Sequence, residues 1–185
     1  MYDLARYVSD LRAIAAATTD ENEILGRVAP LAQKFAAGKK TWLKPGHYET
    51  DPEQGFGVHL LHEEPDHSLA VFAIAWAPHD GFEAHDHGTW AVVVGVDGVE
   101  RNVKYNRLDD RSRPDHAKLV ERCTILAGEG DVICLRAKGI HSVWNDSDKI
   151  TVSLHTYGRH INYTGRSTFD LKTGEVKPVV LNIKQ

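Results

Sequence analysis

"GFEAHDHGTW", residues 81–90, decides how the rest of the chain is read. Two histidines, His85 and His87, stand one residue apart, beside an apolar run that continues through "AVVVGV" at 91–96. Side chains alternate faces along a strand, so on a strand both imidazoles would face the same side, a geometry that suits a metal ion. A His-x-His pair alone carries little weight, because eleven histidines in 185 residues make close pairs common. A third ligand would change the balance. The candidate is His141 in "GDVICLRAKGIHSVWN" (130–145), which follows a strand-like segment and sits in a Gly-flanked turn where a side chain could be held at a barrel mouth.

Outward from these stretches the text is mainly β. Gly, Pro and Asp punctuate short segments rich in Val, Ile, Leu and Trp: "HSLAVFAIAWAP" (67–78), "TWAVVVGVDGVERNVKYNRL" (89–108), "DVICLRA" (131–137) and "ITVSLHTYG" (150–158). Short strands at close spacing with no helices between them predict an antiparallel sandwich or barrel. "LDDRSRPDHAK" (108–118) reads as a solvated loop joining two halves of this β region. Residues 2–37 differ, with Leu4, Tyr7, Val8, Leu11, Ile14 and Ala15 at helical spacing and "TTDENE" (18–23) supplying a break with N-cap chemistry, so two helices are expected. The domain reading is an N-terminal helical cap over 1–38 packed on a β-barrel over 39–185, one structural domain overall.

Composition narrows the function classes. The formal net charge is −4, with 22 Lys+Arg against 26 Asp+Glu and no basic cluster in the sequence of the kind that neutralises a phosphate backbone, so neither nucleic acid nor a membrane is expected as a partner. No apolar run approaches the roughly 20 residues needed to span a bilayer. "MYDLARYVSD" lacks the basic-then-apolar order of a secretory signal, and Cys123 and Cys134 form neither a CxxC pair nor a disulfide framework; a cytoplasmic location is the expectation.

The two histidine stretches together resemble the paired motifs of the cupin superfamily. The second motif fits Gly130, Gly139, His141 and Asn145, with Ala137 where a proline is usual. In the first, His85 and His87 fit, and the usual glutamate is replaced by Ala91. The resemblance implies a double-stranded β-helix (jelly-roll) barrel with N-terminal helices, binding a metal through His85, His87 and His141. Three neutral imidazoles leave the ion's full +2 charge to solvent or substrate, which favours an anionic chelating ligand.

Within cupins, this three-histidine set is similar to that of the cysteine dioxygenase family, the thiol dioxygenases, over about residues 56–178. Those enzymes carry a Ser-x-His-x-Tyr relay that matches Ser153, His155 and Tyr157 in "SLHTYG". The resemblance implies a dioxygenase using Fe(II), with a small thiol and O2 as its partners, that adds both oxygen atoms to the sulfur of 3-mercaptopropionate or cysteine. Family members with a cross-linked tyrosine have a cysteine five residues after the second histidine, a position held here by Val92, so the Tyr157 phenol is expected to be free. The arginine that holds the substrate carboxylate in cysteine-specific members falls at His59 when counted back from Trp76. "HDHGTW" instead looks like the mercaptopropionate-type enzymes, whose arginine nine residues past the tyrosine corresponds to Arg166. His59 and Arg166 are therefore the candidate substrate-binding residues. Two alternatives stay open: a cupin oxygenase acting on a carbon substrate, and a non-enzymatic metal- or small-ligand-binding cupin, zinc included.

Overall fold

Asp3 and Asp20 open the two N-terminal helices in the computed structural model, which describes residues 2–184. Their carboxylates accept from the backbone N–H of Arg6 and Glu23, both at 2.9 Å, satisfying donors that a helix start leaves free. The helices they cap are α1 (Leu4–Ala17) and α2 (Glu21–Ala37), and a short α3 (Lys39–Trp42) follows. Tyr7, Val8, Leu11 and Ile14 of α1 are buried. Ala15, expected on the same stripe, is exposed, and Leu4 is half-buried, because the covered face of α1 is narrower than the apolar pattern suggests.

Among the described residues twelve strands follow: β1 (Phe56–Glu63), β2 (Ala70–Trp76), β3 (Gly81–His85), β4 (Ala91–Asp97), β5 (Glu100–Arg107), β6 (Leu119–Ala127), β7 (Val132–Leu135), β8 (Ile140–Trp144), β9 (Thr151–Tyr157), β10 (Ser167–Phe169), β11 (Val176–Pro178) and β12 (Ile183–Lys184). They form two six-stranded sheets, ordered β12-β1-β2-β9-β4-β7 and β11-β10-β3-β8-β5-β6. Pairing is antiparallel except for the two-residue contact of β12 along β1. The charged loop 108–118 joins β5 to its neighbour β6 within one sheet, rather than joining two halves of the β region as its sequence suggested.

The first sheet is buried on both faces, which is why β2 and β4 read as unbroken apolar runs. On its outer face Val71, Ala73, Val92, Val94 and Leu154 share one core with Tyr7, Leu11, Ile14, Ile24, Val28 and Phe35 of the helices. Each large side chain fully buried there stabilises the fold by about 1.5–3 kcal/mol. Tyr7 stacks on Phe35 with ring centroids 5.0 Å apart, and its hydroxyl lies 2.6 Å from Thr156 Oγ1, tying α1 to β9. On the inner face Phe56, Val58, Phe72, Ile74, Ala91, Val93 and Tyr157 belong to a second core between the sheets. One alternation along β9 thus separates Val152, Leu154 and Thr156, facing the helices, from Ser153, His155 and Tyr157, facing the barrel interior.

Candidate metal centre and its cavity

His85 closes β3, and its partner across the ladder is His141 in β8, so backbone pairing alone brings these two imidazoles together. His141 is therefore a strand residue, not a turn residue as its glycine-flanked sequence suggested. His87 lies beyond the end of β3, so the two first-motif histidines do not share a strand face. The chain turns there instead. Gly88 adopts φ 63°, in the left-handed region, and a Cβ on it would lie 2.7 Å from the Thr164 carbonyl oxygen, so only glycine fits. That turn swings His87 back onto the other two: ring centroids are 4.6 Å apart for His85 and His141, 5.0 Å for His85 and His87, and 5.1 Å for His87 and His141. One nitrogen from each ring lies within 4.8 Å of the others.

The rings are held as ligands are held. His85 Nδ1 donates to the Glu83 carbonyl at 2.7 Å, leaving Nε2 for another partner. His141 Nδ1 lies 3.1 Å from Asn102 Oδ1, while His141 Nε2 and His87 Nδ1 are buried with no hydrogen-bond partner. Burial holds all three imidazoles well below the usual histidine pKa, so each is neutral with a lone pair to give. Orphaned buried nitrogens are costly unless something meets them. Three convergent neutral imidazoles with a second hydrogen bond orienting two of them fit a first-row divalent metal ion. Among the described residues no carboxylate joins them: Asp86 turns away to accept from Ser167 N–H at 2.9 Å.

Beside the histidines runs a hydrogen-bonded line along β9. Ser153 Oγ lies 2.9 Å from His155 Nε2, and His155 Nδ1 lies 2.8 Å from the Tyr157 hydroxyl. Trp76 Nε1 donates to Ser153 Oγ at 3.1 Å. Burial pushes His155 down to about 3, so it is neutral, and drives the Tyr157 phenol well above its ordinary value, so it keeps its proton. The Tyr157 ring sits 5.2 Å from that of His87. A further buried group ends the line. Glu100, 3 % exposed, accepts from Thr151 Oγ1 at 3.3 Å, and burial raises its carboxyl to about 8.

Arg166 is 2 % exposed, not a surface residue. Asp86, between the two histidines, donates its backbone N–H to the Ser167 carbonyl and accepts the Ser167 N–H on its carboxylate, and the Arg166 carbonyl accepts from Val179 N–H, so the chain is pinned on both sides of the arginine. Its guanidinium packs 5.5 Å over the Phe82 ring, Nε has no partner, and no salt bridge reaches it among the described residues. Arg166, His85, His141, His155 and Tyr157 line one tight cavity of about 10 Å³, about the room one water needs, walled by Phe56, Ile74, Trp76, Phe82, Val143 and Leu181.

No protein-family model matches the chain. Among solved structures, an oxalate oxidase aligns with a TM-score of 0.49 at 15 % identity, over 64 % of this chain and 57 % of that one. The aligned part thus spans little more than half the oxalate oxidase length. An uncharacterised conserved Klebsiella pneumoniae protein with a double-stranded β-helix domain aligns at 0.48 and 10 % identity, over 69 % of this chain and 96 % of that one. A cupin domain of an XRE family transcriptional regulator from Enterobacter cloacae aligns at 0.40 and 15 % identity, over 56 % and 96 %. The two six-stranded sheets behind N-terminal helices agree with the β-barrel architecture expected from the sequence. At these identities and scores the likeness carries no conclusion about this chain's activity.

Two residue assignments made from the sequence change in the structure. His59 is not in the cavity. It alternates with Phe56, Val58 and Leu60, which face inward, so its ring lies on the opposite face of β1, where Nε2 donates to the Glu49 carbonyl at 2.8 Å and the ring lies 5.7 Å from that of His47. Gly57 makes this crossing possible, because a Cβ there would sit 1.9 Å from the Glu49 oxygen. The residue beside Tyr157 is Ala91, its partner between β4 and β9, whereas Val92 faces the helices. Tyr157 still has no neighbouring thiol, since Cys134 pairs with Val92 and packs against that same outer core. Sequence reasoning missed Asn102 and Glu100; the only trace of Asn102 is a polar residue inside the strand segment "VERNVKY" (99–105), and only cross-sheet contacts show what these side chains meet.

Proposed function

We propose that this protein is a non-haem Fe(II) thiol dioxygenase that adds both atoms of O2 to the sulfur of a small thiol carboxylate, 3-mercaptopropionate or cysteine, to give a sulfinate. The observation that carries this reading is Arg166. A fully buried guanidinium without an anionic partner is costly, and an anionic ligand in the cavity beside it would offset that cost. A carboxylate accepts two parallel hydrogen bonds from such a fork. Arg166 lines the same tight cavity as His85 and His141, which favours a substrate of few heavy atoms.

The residues divide the work. Arg166 holds the carboxylate and thereby aims the sulfur at the histidines, which is positioning. Tyr157, protonated and fixed by His155, offers one O–H to the reacting atoms, and Ser153 and Trp76 fix His155 in turn. The apolar wall of Phe56, Ile74, Phe82, Val143 and Leu181 keeps water away. His85, His87 and His141 would hold Fe(II), which when bound would supply the redox chemistry and favour the thiolate form of the substrate. The overall change balances without a further reductant: sulfur loses four electrons, O2 gains four, and both oxygens stay on sulfur.

The test is anaerobic loading with Fe(II), followed by oxygen uptake with cysteine, 3-mercaptopropionate, mercaptosuccinate and cysteamine. One O2 consumed per thiol, with a product two oxygen atoms heavier, is the expected result. Tight Fe(II) binding with no thiol oxidised would reject the reading in favour of a carbon-substrate oxygenase or a binding protein. Preference for zinc with no oxygen uptake would reject iron.

A further inference from the structure

Where the free edges of the two sheets meet, β7 of one and β6 of the other, the surface forms a half-open cavity of about 520 Å³, within the roughly 300–1,000 Å³ of small-molecule sites. Its charged lining is Lys104, Arg107, Arg111, Arg122, Arg136 and Lys138, with no carboxylate among the lining residues. Six cations around one hollow run against the composition, since the chain as a whole carries a formal charge of −4. Sequence reading does not find this cluster, because its members come from β5, the 108–118 loop, β6 and the β7–β8 turn.

The backbone is shaped to gather them. Lys104 pairs with Cys123 and Tyr105 with Glu121, so Arg122 is the extra residue of a bulge between β5 and β6, a device that re-aims side chains. Arg111 sits at φ 61°, in the left-handed region, at the tip of its loop. Arg107 is neutralised by Asp109 at 2.9 Å, but the other five cations form no salt bridge among the described residues. Lys104 donates to the Cys134 carbonyl at 3.3 Å and Arg136 bonds Asn22, and neither contact cancels charge. Crowded like charges in a concave surface raise the local potential and attract counter-ions. Guanidinium forks match phosphate oxygens two at a time.

We propose that this cavity is a second binding site, distinct from the metal cavity, for a small multiply charged phosphate compound. Its size selects a discrete molecule over a flat polyanion surface, and its five uncompensated cations select a ligand with more than one negative charge. It adjoins the metal centre: Lys104 is the cross-strand partner of His141, and Gly139 and Ile140, which line the cavity, immediately precede that histidine. The inference does not rest on the proposed thiol chemistry.

Pyrophosphate is the probe, titrated into the full-length protein by calorimetry at fixed ionic strength, with citrate and a short single-stranded oligonucleotide as comparators. Saturable one-to-one binding is expected, weakened about tenfold by either Arg122→Ala or Arg111→Ala, the size of one charge-assisted contact. Both arginines are exposed, so neither variant removes core packing. Absence of saturable binding, or binding indifferent to both substitutions, overturns the site. Citrate binding as tightly as pyrophosphate overturns the phosphate class, and tighter competing binding by the oligonucleotide overturns the small-molecule assignment. If the iron-loaded protein oxidises thiols, an Arg122→Ala variant should keep the parent KM; a raised KM for 3-mercaptopropionate, but not for cysteamine, would make the cavity the approach to the metal and overturn its status as a second site.

Discussion

His155 Nδ1 stands 2.8 Å from the Tyr157 hydroxyl, two residues along the same strand, while its other ring nitrogen is 2.9 Å from Ser153. The imidazole is neutral because burial lowers it to about 3, so it orients the phenol without adding a charge beside a metal ion. Tyr157→Phe is therefore expected to keep metal loading and thiol affinity while lowering turnover by roughly 10²-fold, the low end for a lost proton donor. Metal analysis and steady-state oxygen uptake check it; an unchanged kcat would leave the relay a purely structural hydrogen-bond chain. Because Ala91, not a cysteine, faces Tyr157, active enzyme should run as a single band on denaturing gels.

Replacing His85, His87 or His141 by Ala should abolish tight metal binding without unfolding the chain, since the barrel has cores of its own on both faces of the first sheet. Asn102→Ala removes only the group that orients His141, and its cost in metal affinity should be smaller, roughly 10–100-fold. Chelator treatment should likewise leave a cooperative thermal transition, unlike that of a zinc finger. Metal content by plasma emission and circular dichroism melts report both quantities.

Arg166→Ala should raise KM for 3-mercaptopropionate at least about tenfold and leave cysteamine, which has no carboxylate, nearly untouched. Removing a buried unpaired cation relieves a desolvation cost, so the variant's melting temperature should not fall in proportion. Equal loss for both thiols would assign Arg166 to the cavity wall.

Glu100 predicts a pH slope in stability. Its carboxyl titrates near 8 in the fold, against an ordinary 4.5, because it is fully buried. Between those values the folded chain keeps a proton that the unfolded chain releases. Stability should therefore fall as pH rises from about 4.5 to about 8, at up to about 1.4 kcal/mol per pH unit, and then level off. Glu100→Gln should flatten that slope in urea melts at pH 5, 6.5 and 8; an identical slope in parent and variant would show that the buried carboxyl is not its source.

The sequence alone determined short β segments behind two helices, through local spacing, and most of the candidate centre, through the cupin-like motifs it resembles. Helical periodicity and the Asp20 cap placed α1 and α2, and alternation along β9 put Ser153, His155 and Tyr157 on one face, a relationship that any strand enforces. The tertiary structure decided everything that depends on which strand lies beside which. Counting along the chain put His59 in the site and Val92 beside Tyr157, but a one-residue step along a strand reverses the face, so the pleat sent His59 to Glu49 and gave Tyr157 the neighbour Ala91. Pairing of β3 with β8 brought His85 against His141 across more than fifty residues, and pinning of Ser167 by Asp86 buried Arg166 beside them. Glu100, the cationic hollow and all but the bare polarity of Asn102 carry no mark in their own segments, since a side chain's neighbours across a barrel are fixed by closure of the sheets and not by sequence distance.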